Sequence, residues 1–309
     1  MKLEGIHHIT AITGDAQKNV DFYAGVLGLR LVKKTVNQDD PTVYHLFFAD
    51  EKGDAGSDLT FFEYPGAPPG RTGDGMIWGI RWRLGSPDAL DFWAERLKEH
   101  GTETELTDGV LRFTDPEGLG HALKVVDTSD EPLVANHPEI PEDLALQGFD
   151  GAIACSSNSE ASRPLLEEAL GFQPLPGEAG QSGWECRGDS RGGLWGYSEP
   201  PPERGLQGAG SVHHIAWASQ IEDHEAWRER VIQAGARPTP VIDRFYFRSI
   251  YFREPSGVLF EIATLGPGFT VDEPLESLGE KLSLPPDYEH LREQVEPVLR
   301  PITNPRVAA

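Results

Sequence analysis

Short runs in which apolar and polar residues alternate, each closed by Gly, Asp, Ser or Pro, recur along this chain, and stretches with helical spacing of apolar residues lie between them. The first run, Gly5-Ile6-His7-His8-Ile9-Thr10-Ala11-Ile12-Thr13, reads as a strand. Residues 15–27 follow as an amphipathic helix, with Val20, Tyr23 and Leu27 on one face, Thr13 or Asp15 available as the cap and Gly28 where a helix would stop. Three more strand-like runs, 29–35, 43–48 and 59–64, are separated by turns rich in Asp and Gly. The unit is β-α-β-β-β.

The same order returns three times. A strand at 76–84 precedes a helix from Ser86-Pro87-Asp88 to Glu99, which stops at His100-Gly101 and leads to strands near Thr104, at 109–114 and at 121–126. A third unit opens with a strand at 149–156 and a helix at 159–170 that stops at Gly171-Phe172. The fourth opens at Val212, has its helix at 223–234 with Gly235 as the stop, and continues in strands 238–242, 246–253 and 258–263. Repetition of this kind predicts an α+β fold of four βαβββ modules in two domains, with curved mixed sheets enclosing a cleft. Residues 1–130 hold the first pair of units (about 4–66 and 75–127), and 131–147, rich in Pro and Glu, form a linker. Residues 148–265 hold the second pair (about 148–200 and 210–265), and 266–309 form a Pro-rich tail with a short helix from about 287 to 295.

Composition narrows the partners. The chain has 309 residues, 38% of them apolar, and no run of about 18 apolar residues that would predict a membrane helix. Met1-Lys2-Leu3-Glu4-Gly5 leads directly into the first strand, so no signal peptide is expected. Cys155 and Cys186 are too few for a disulfide framework or a thiolate zinc site, which fits a cytoplasmic protein. The net charge of −23 is spread along the chain, which argues against a nucleic-acid surface. With only 8 lysines against 19 arginines, the acidity fits either a salt-adapted surface or an ordinary acidic enzyme, two readings that stability in low-salt buffer would separate. A homo-oligomer is compatible with all of this.

Candidate chemistry lies in the first and fourth units. The fourth opens with Ser211-Val212-His213-His214-Ile215-Ala216-Trp217, nearly a copy of residues 5–11. Adjacent residues of a strand point to opposite faces, so the two histidines of each pair are expected to differ in role. Glu261 lies in the apolar run Val258-Leu259-Phe260-Glu261-Ile262, where a carboxylate is costly unless paired or bound to metal. His8 stands where His214 stands. If units one and four pair, His8, His214 and Glu261 meet as two histidines and one carboxylate, a set that suits a non-haem Fe(II) oxygenase and also catalytic zinc. The other units offer Trp78 or Gly79, Ala122 and Gly151 at the matching places. In unit one the match to Glu261 is Phe61, with Glu63 two residues on as a fourth ligand should the register shift by two. In the run Asp243–Arg253, Tyr251 is placed to hydrogen-bond a phenolic or oxygen-derived ligand and Arg244 to offset negative charge, against the plainer readings of core packing and surface solvation. His45 is a possible cleft residue, though an ordinary strand histidine is the preferred reading, and His100, His121, His137, His224 and His290 receive no role. No phosphate loop or nucleophile elbow is present.

The motifs His8-Ile9-Thr10, Phe22-Tyr23-x-x-Val26-Leu27-Gly28-Leu29, His214-Ile215-Ala216 and Phe260-Glu261-Ile262 resemble the vicinal oxygen chelate superfamily of glyoxalase I, bleomycin-resistance proteins and extradiol dioxygenases. Longer stretches are similar to a narrower branch, the four-module ring-cleaving dioxygenases that act on para-hydroquinones: 6–10, 32–37, 44–50, 244–252 and Gly266-Pro267-Gly268-Phe269. That resemblance implies Fe(II), or Mn(II) or another divalent ion, held by His8, His214 and Glu261, with a small aromatic substrate and O2 as partners. It also selects His8 over His7 as ligand. It further implies supporting or acid–base roles for His7, Thr10, His213 and Arg244, and a substrate-facing Tyr251. Two other activities use the same scaffold, a metal-dependent isomerase or lyase of the glyoxalase type and a non-catalytic binding module. The latter does not need the three ligands.

Overall fold

The computed structural model describes residues 1–176 and 182–306, so that 177–181 of the third unit and the last three residues of the tail lie outside it. Among the described residues the strands form two eight-stranded sheets. In the first, the order across the sheet is Ile242–Asp243, Arg248–Arg253, Leu259–Thr264, Val212–Ser219, Ile6–Thr13, Asp58–Glu63, Asp40–Ala49 and Arg30–Asn37. In the second it is Gln173–Leu175, Ser182–Arg187, Gly192–Ser198, Phe149–Cys155, Ile77–Leu84, Gly120–Val125, Val110–Thr114 and Glu105–Thr107. Units one and four therefore share one sheet, and units two and three share the other. The halves 1–130 and 148–265 each give one unit to each sheet, because the opening strands of the units pair antiparallel across the middle.

The repeat forms as its sequence directs, with local departures. Asp15 caps the first helix, its carboxylate accepting from the Lys18 amide, and Gly28 ends it in the left-handed region. Beyond Val20 that helix widens to π-type winding over Asp21–Val26. The third unit's helix is broken: a 3-10 turn, Ser159–Ser162, precedes π-type winding over Leu165–Ala169, with Pro164 at the junction. In the fourth unit, the expected strand 238–242 is reduced to Ile242–Asp243. The linker is packed rather than loose. Just before it Asp130 accepts from Arg83 and Arg187, and its own Ile140, Ala145 and Leu146 are buried in the core.

The two sheets meet through the faces opposite their clefts. Trp195 of the second sheet lies edge-on to Trp217 and Phe260 of the first, with ring centres 6.1 and 5.1 Å apart. A buried polar chain adds a second joint. The Trp82 indole donates to His121 Nδ1 (3.1 Å), so the neutral ring carries its proton on Nε2 and donates to the Tyr23 hydroxyl (3.0 Å), which donates to Asp115 (2.9 Å). Burial pushes His121 down to about 3 from 6.5. Its contribution to stability is complete above pH 6.5 and is lost as the pH falls from there toward 3. Burial raises Asp115 to about 6, and that group has the opposite sign, favouring the fold as the pH falls through 6. We expect His121→Gln to flatten the stability–pH slope between pH 6 and 5 by up to about 1.4 kcal/mol per pH unit relative to the parent, read by urea unfolding. An unchanged slope would mean that His121 is not neutral in the native state.

The tail closes the outer edge of the first sheet. Leu282 bridges to Lys34, the Ser283 amide donates to the Lys34 carbonyl, and Arg30 donates to the carbonyls of Leu275 and Glu276. No helix is long and apolar enough to cross a membrane among the described residues.

Candidate metal centre

The pairing of Ile6–Thr13 with Val212–Ser219 sets Thr10 opposite His214 and His8 opposite Ala216. Next to the latter strand, Leu259–Thr264 runs parallel with Glu261 beside Ala216. Alternation then turns His8, His214 and Glu261 toward one face. His8 Nε2 lies 3.3 Å from His214 Nε2, and Glu261 Oε2 lies 3.2 and 2.9 Å from those two nitrogens. All three residues are buried, and their donor atoms lie within 4.8 Å of one another.

The neighbouring histidines do not turn away as strict alternation predicts. The ladder between these strands skips His7 on one side and His213 on the other, so each sits in a β-bulge. The bulges bring His7 Nδ1 to 2.9 Å from His8 Nδ1 and His213 Nδ1 to 2.8 Å from His214 Nδ1. Each pair is thus joined, not divided between faces. The proton positions follow from the partners. His7 Nε2 faces the Thr264 carbonyl at 3.1 Å, which can only accept, so His7 Nε2 carries the proton and its Nδ1 is bare. His8 Nδ1–H then donates to it, leaving His8 Nε2 as a lone pair facing the cluster. At His213 and His214 the 2.8 Å contact admits the same assignment, which leaves His214 Nε2 bare when its Nδ1–H is the donor. Burial and the adjacent His8 push His7 down to about 3, and burial and His214 push His213 down to about 4, so both rings are neutral.

Such a cluster fits an ion. Glu261 Oε1 accepts from the Ser249 hydroxyl, whereas the fully buried Oε2 has no hydrogen-bond partner despite two ring nitrogens beside it. Three lone-pair donors facing one another without an intervening proton is the arrangement a divalent metal would satisfy.

The cleft over this cluster is lined by Thr10, Thr35, His45, Phe47, Phe62, Arg244, Phe247 and Tyr251, among others. Tyr251 is directly opposite Glu261 in the ladder, and its ring lies 5.6 Å from that of His214. Arg244 Nε donates to the Tyr251 hydroxyl at 3.4 Å. Burial, and then the negative charge of Glu261, raise the Tyr251 phenol well above its ordinary value. The Thr60 hydroxyl donates to Thr10 (2.8 Å) and lies 2.9 Å from His45 Nε2. His45 therefore belongs to the cleft, held between Phe47 and Phe62 at 4.0 and 4.4 Å, and burial pushes it well below its ordinary pKa. Its strand phase, shared with Phe47, was the available signal. Phe247, packed against both His7 and His8 at 5.1 Å, and Ser249 were not picked out from the sequence.

The fourth position differs from the expected one. If His8 matches His214, then Thr10 matches Ala216. Glu261 pairs with Ala216 and Thr60 pairs with Thr10, so the counterpart of Glu261 is Thr60, not Phe61. The shift is one residue, which reverses the face: Phe61 is in the core and Glu63 accepts from the Ala16 amide at the start of the first helix. Glu63 is no ligand. In the second sheet, the register that pairs Gly79 with Ile153 and Arg81 with Gly151 puts Gly79, Gly151 and Gly196 at the three ligand positions. Trp78 and Asp150 there occupy the bulges that hold His7 and His213 in the first sheet. Among the described residues that cleft has no metal-ligand set.

The fold and the cluster together define a class, and comparison with known proteins bears on it directly. The chain belongs to the Glyoxalase/Bleomycin resistance protein/Dioxygenase superfamily, whose model matches residues 5–120 and 149–262. It is 44% identical over 306 residues to a Bacillus subtilis protein named as ring-cleaving dioxygenase MhqO, with 97% of each chain covered. It is 32% identical over 323 residues to the chlorohydroquinone/hydroquinone 1,2-dioxygenase of Sphingobium indicum, covering 99% of this chain and 98% of that one. A solved structure described as a dioxygenase from Bacillus subtilis superposes with a TM-score of 0.93 at 41% identity over 99% of both chains. Glyoxalase I from Zea mays, at TM-score 0.59 and 15% identity over 84% of this chain and 92% of that one, shares the fold. The chain is an enzyme, a ring-cleaving dioxygenase of this superfamily.

Proposed function

We propose that His8, His214 and Glu261 hold one Fe(II) ion and that the enzyme opens a hydroquinone-type ring by inserting both atoms of O2. The observation that carries this reading is the buried Glu261 Oε2, without a hydrogen-bond partner and with His8 Nε2 and His214 Nε2 only 3.2 and 2.9 Å away. The name of the Sphingobium relative supports the substrate class. Held there, a ferrous ion would supply the one-electron chemistry that dioxygen needs to react with a closed-shell aromatic.

The surrounding residues have separable tasks. His7 and His213 fix the tautomers and ring orientations of the two ligands, in the way outer hydrogen bonds commonly tune metal-bound histidine. Tyr251 keeps its proton at neutral pH and is placed to donate to a ring oxygen, while Arg244 offsets negative charge as a phenol is deprotonated. Thr10, linked through Thr60 to His45, provides a path along which a proton can leave the cleft. Phe47, Phe62 and Phe247 keep water away and give the ring flat surfaces to pack on.

Removal of metal by a chelator should abolish oxygen uptake with hydroquinone, and anaerobic reloading with Fe(II) should restore it, whereas Zn(II) should not. Mn(II) is the informative intermediate case. Full uptake by the metal-free enzyme, or uptake with catechol and none with any para-hydroquinone, would contradict the proposal.

A further inference from the structure

The space above the metal centre is too small for its substrate. Its volume is about 40 Å³, whereas a cavity of roughly 150 Å³ is the scale known to admit a single benzene ring. Two hairpin tips narrow its mouth. From unit one comes the turn 37–40, and from unit four the turn 243–247. They are fastened at two points: Arg244 forms a forked pair with the Asp39 carboxylate, at 3.0 and 3.3 Å, and Gln38 Nε2 donates to the Arg244 carbonyl at 2.8 Å. The Asp39 side chain is 72% exposed, so water and salt can compete for this bond, while Arg244 is 18% exposed and reaches inward to Tyr251.

Both tips are also tied to the tail. The unit-one turn is steadied from behind by the tail, where the Tyr288 hydroxyl donates to the Gln38 carbonyl at 2.9 Å. The unit-four turn carries strain: Phe245 has φ of +71°, a region that a bulky side chain rarely adopts. An Asx-type bond from the Phe245 amide to Asp243 and one from the Arg244 amide to the Phe247 carbonyl hold it there. Tyr246 and Phe247 of that turn are buried, and the Tyr246 hydroxyl donates to Asp272 of the tail at 2.9 Å, so the movable part is its outer end, Arg244 and Phe245, and the bond that holds it across the mouth is at Asp39.

Resting on the reading above of an aromatic substrate, we infer that Asp39 is a latch residue: it holds Arg244 across the mouth, and its release admits the ring. A binding site that is open only part of the time lowers apparent affinity and entry rate by the open fraction. A partly exposed ion pair of this kind shifts that fraction modestly, so its removal should speed entry about two- to fivefold.

The test uses the full-length enzyme without oxygen, with hydroquinone as probe because it is uncharged near neutral pH and is not steered by the acidic surface. Stopped-flow fluorescence reads the binding rate, and hydrogen exchange reads opening at 37–40 and 243–247 independently of any ligand. Asp39→Ala and Asp39→Asn are expected to bind hydroquinone about two- to fivefold faster and to exchange faster at both turns. Asp39→Glu, which can still reach Arg244, should stay near the parent, and added salt should speed the parent toward the alanine variant. Faster exchange without hydroquinone binding in any of the proteins would uphold the latch and refute the aromatic reading. Unchanged exchange and unchanged binding rates would overturn the latch, as would slower binding in Asp39→Ala.

Discussion

Glu261→Gln is expected to empty the metal centre while leaving the protein folded. The amide keeps the shape of the side chain and can still accept from Ser249, so the strand Leu259–Thr264 loses little packing. What it loses is the negative charge and, at one oxygen, an acceptor-only group; an amide there presents either a weaker oxygen or a donor to the two ring nitrogens. Loss of a supporting contact alone commonly costs 10- to 100-fold in metal affinity, so loss of a ligand should exceed about 100-fold. Metal content after dialysis, with a melting curve on metal-free protein to confirm the fold, checks this. Full retention of metal by the folded variant would remove Glu261 from the ligand set.

The second large effect is on stability. Lys33 is completely buried in the face that carries the cleft, where its ammonium donates to Asp272 (2.7 Å), to Glu273 and to the Phe269 carbonyl (3.2 Å), and lies 4.8 Å over the ring of Tyr246. All of these but Tyr246 belong to the tail. Lys33→Met would keep most of the stem's packing and strand two carboxylates, at 21% and 10% exposure. Breaking one side of a buried pair costs about 3–5 kcal/mol, and partial rehydration of Asp272 argues for the lower end, about 3 kcal/mol. Urea unfolding should show that loss, and limited proteolysis should cut sooner within 266–283. Adding Asp272→Asn and Glu273→Gln to the variant should recover part of the stability, because no uncompensated charge then remains. A loss below about 1 kcal/mol would mean that the tail is held by its apolar contacts, Phe269 and Leu278, instead.

The repeat was legible because its signals are local. Caps and stops such as Asp15, Gly28, Gly101 and Gly235 lie within one turn of the helices they bound, and strand periodicity needs only a few residues. So was the meeting of His8, His214 and Glu261, since it needs only that units one and four pair in equivalent registers. What the chain did not disclose depends on register and on long-range pairing. One skipped residue at His7 and another at His213 turn two alternating pairs into bonded ones, and a bulge leaves no mark in the hydrophobic pattern. A one-residue difference in alignment put Phe61 where the ladder puts Thr60, and with it reversed the face of Glu63. Asp39 was invisible for a different reason: its partner Arg244 is 205 positions away, and an acidic turn residue reads as solvated surface until the second turn is seen beside it.

Thr60 also gives the centre its asymmetry. At the place where a symmetric repeat would put a second carboxylate there is a hydroxyl, engaged with Thr10 and His45, so the cluster offers three ligands and a polar but uncharged fourth side. A metal held by these three would keep its opposite positions for substrate and oxygen.

If both atoms of dioxygen enter the ring, labelled oxygen must follow them into the product. Enzyme loaded anaerobically with Fe(II) would be mixed with hydroquinone under ¹⁸O₂, quenched early, and the product examined by mass spectrometry. The predicted result is a ring-opened acid carrying two heavy oxygen atoms. A quinone without label, or an unopened ring carrying one label, would contradict it.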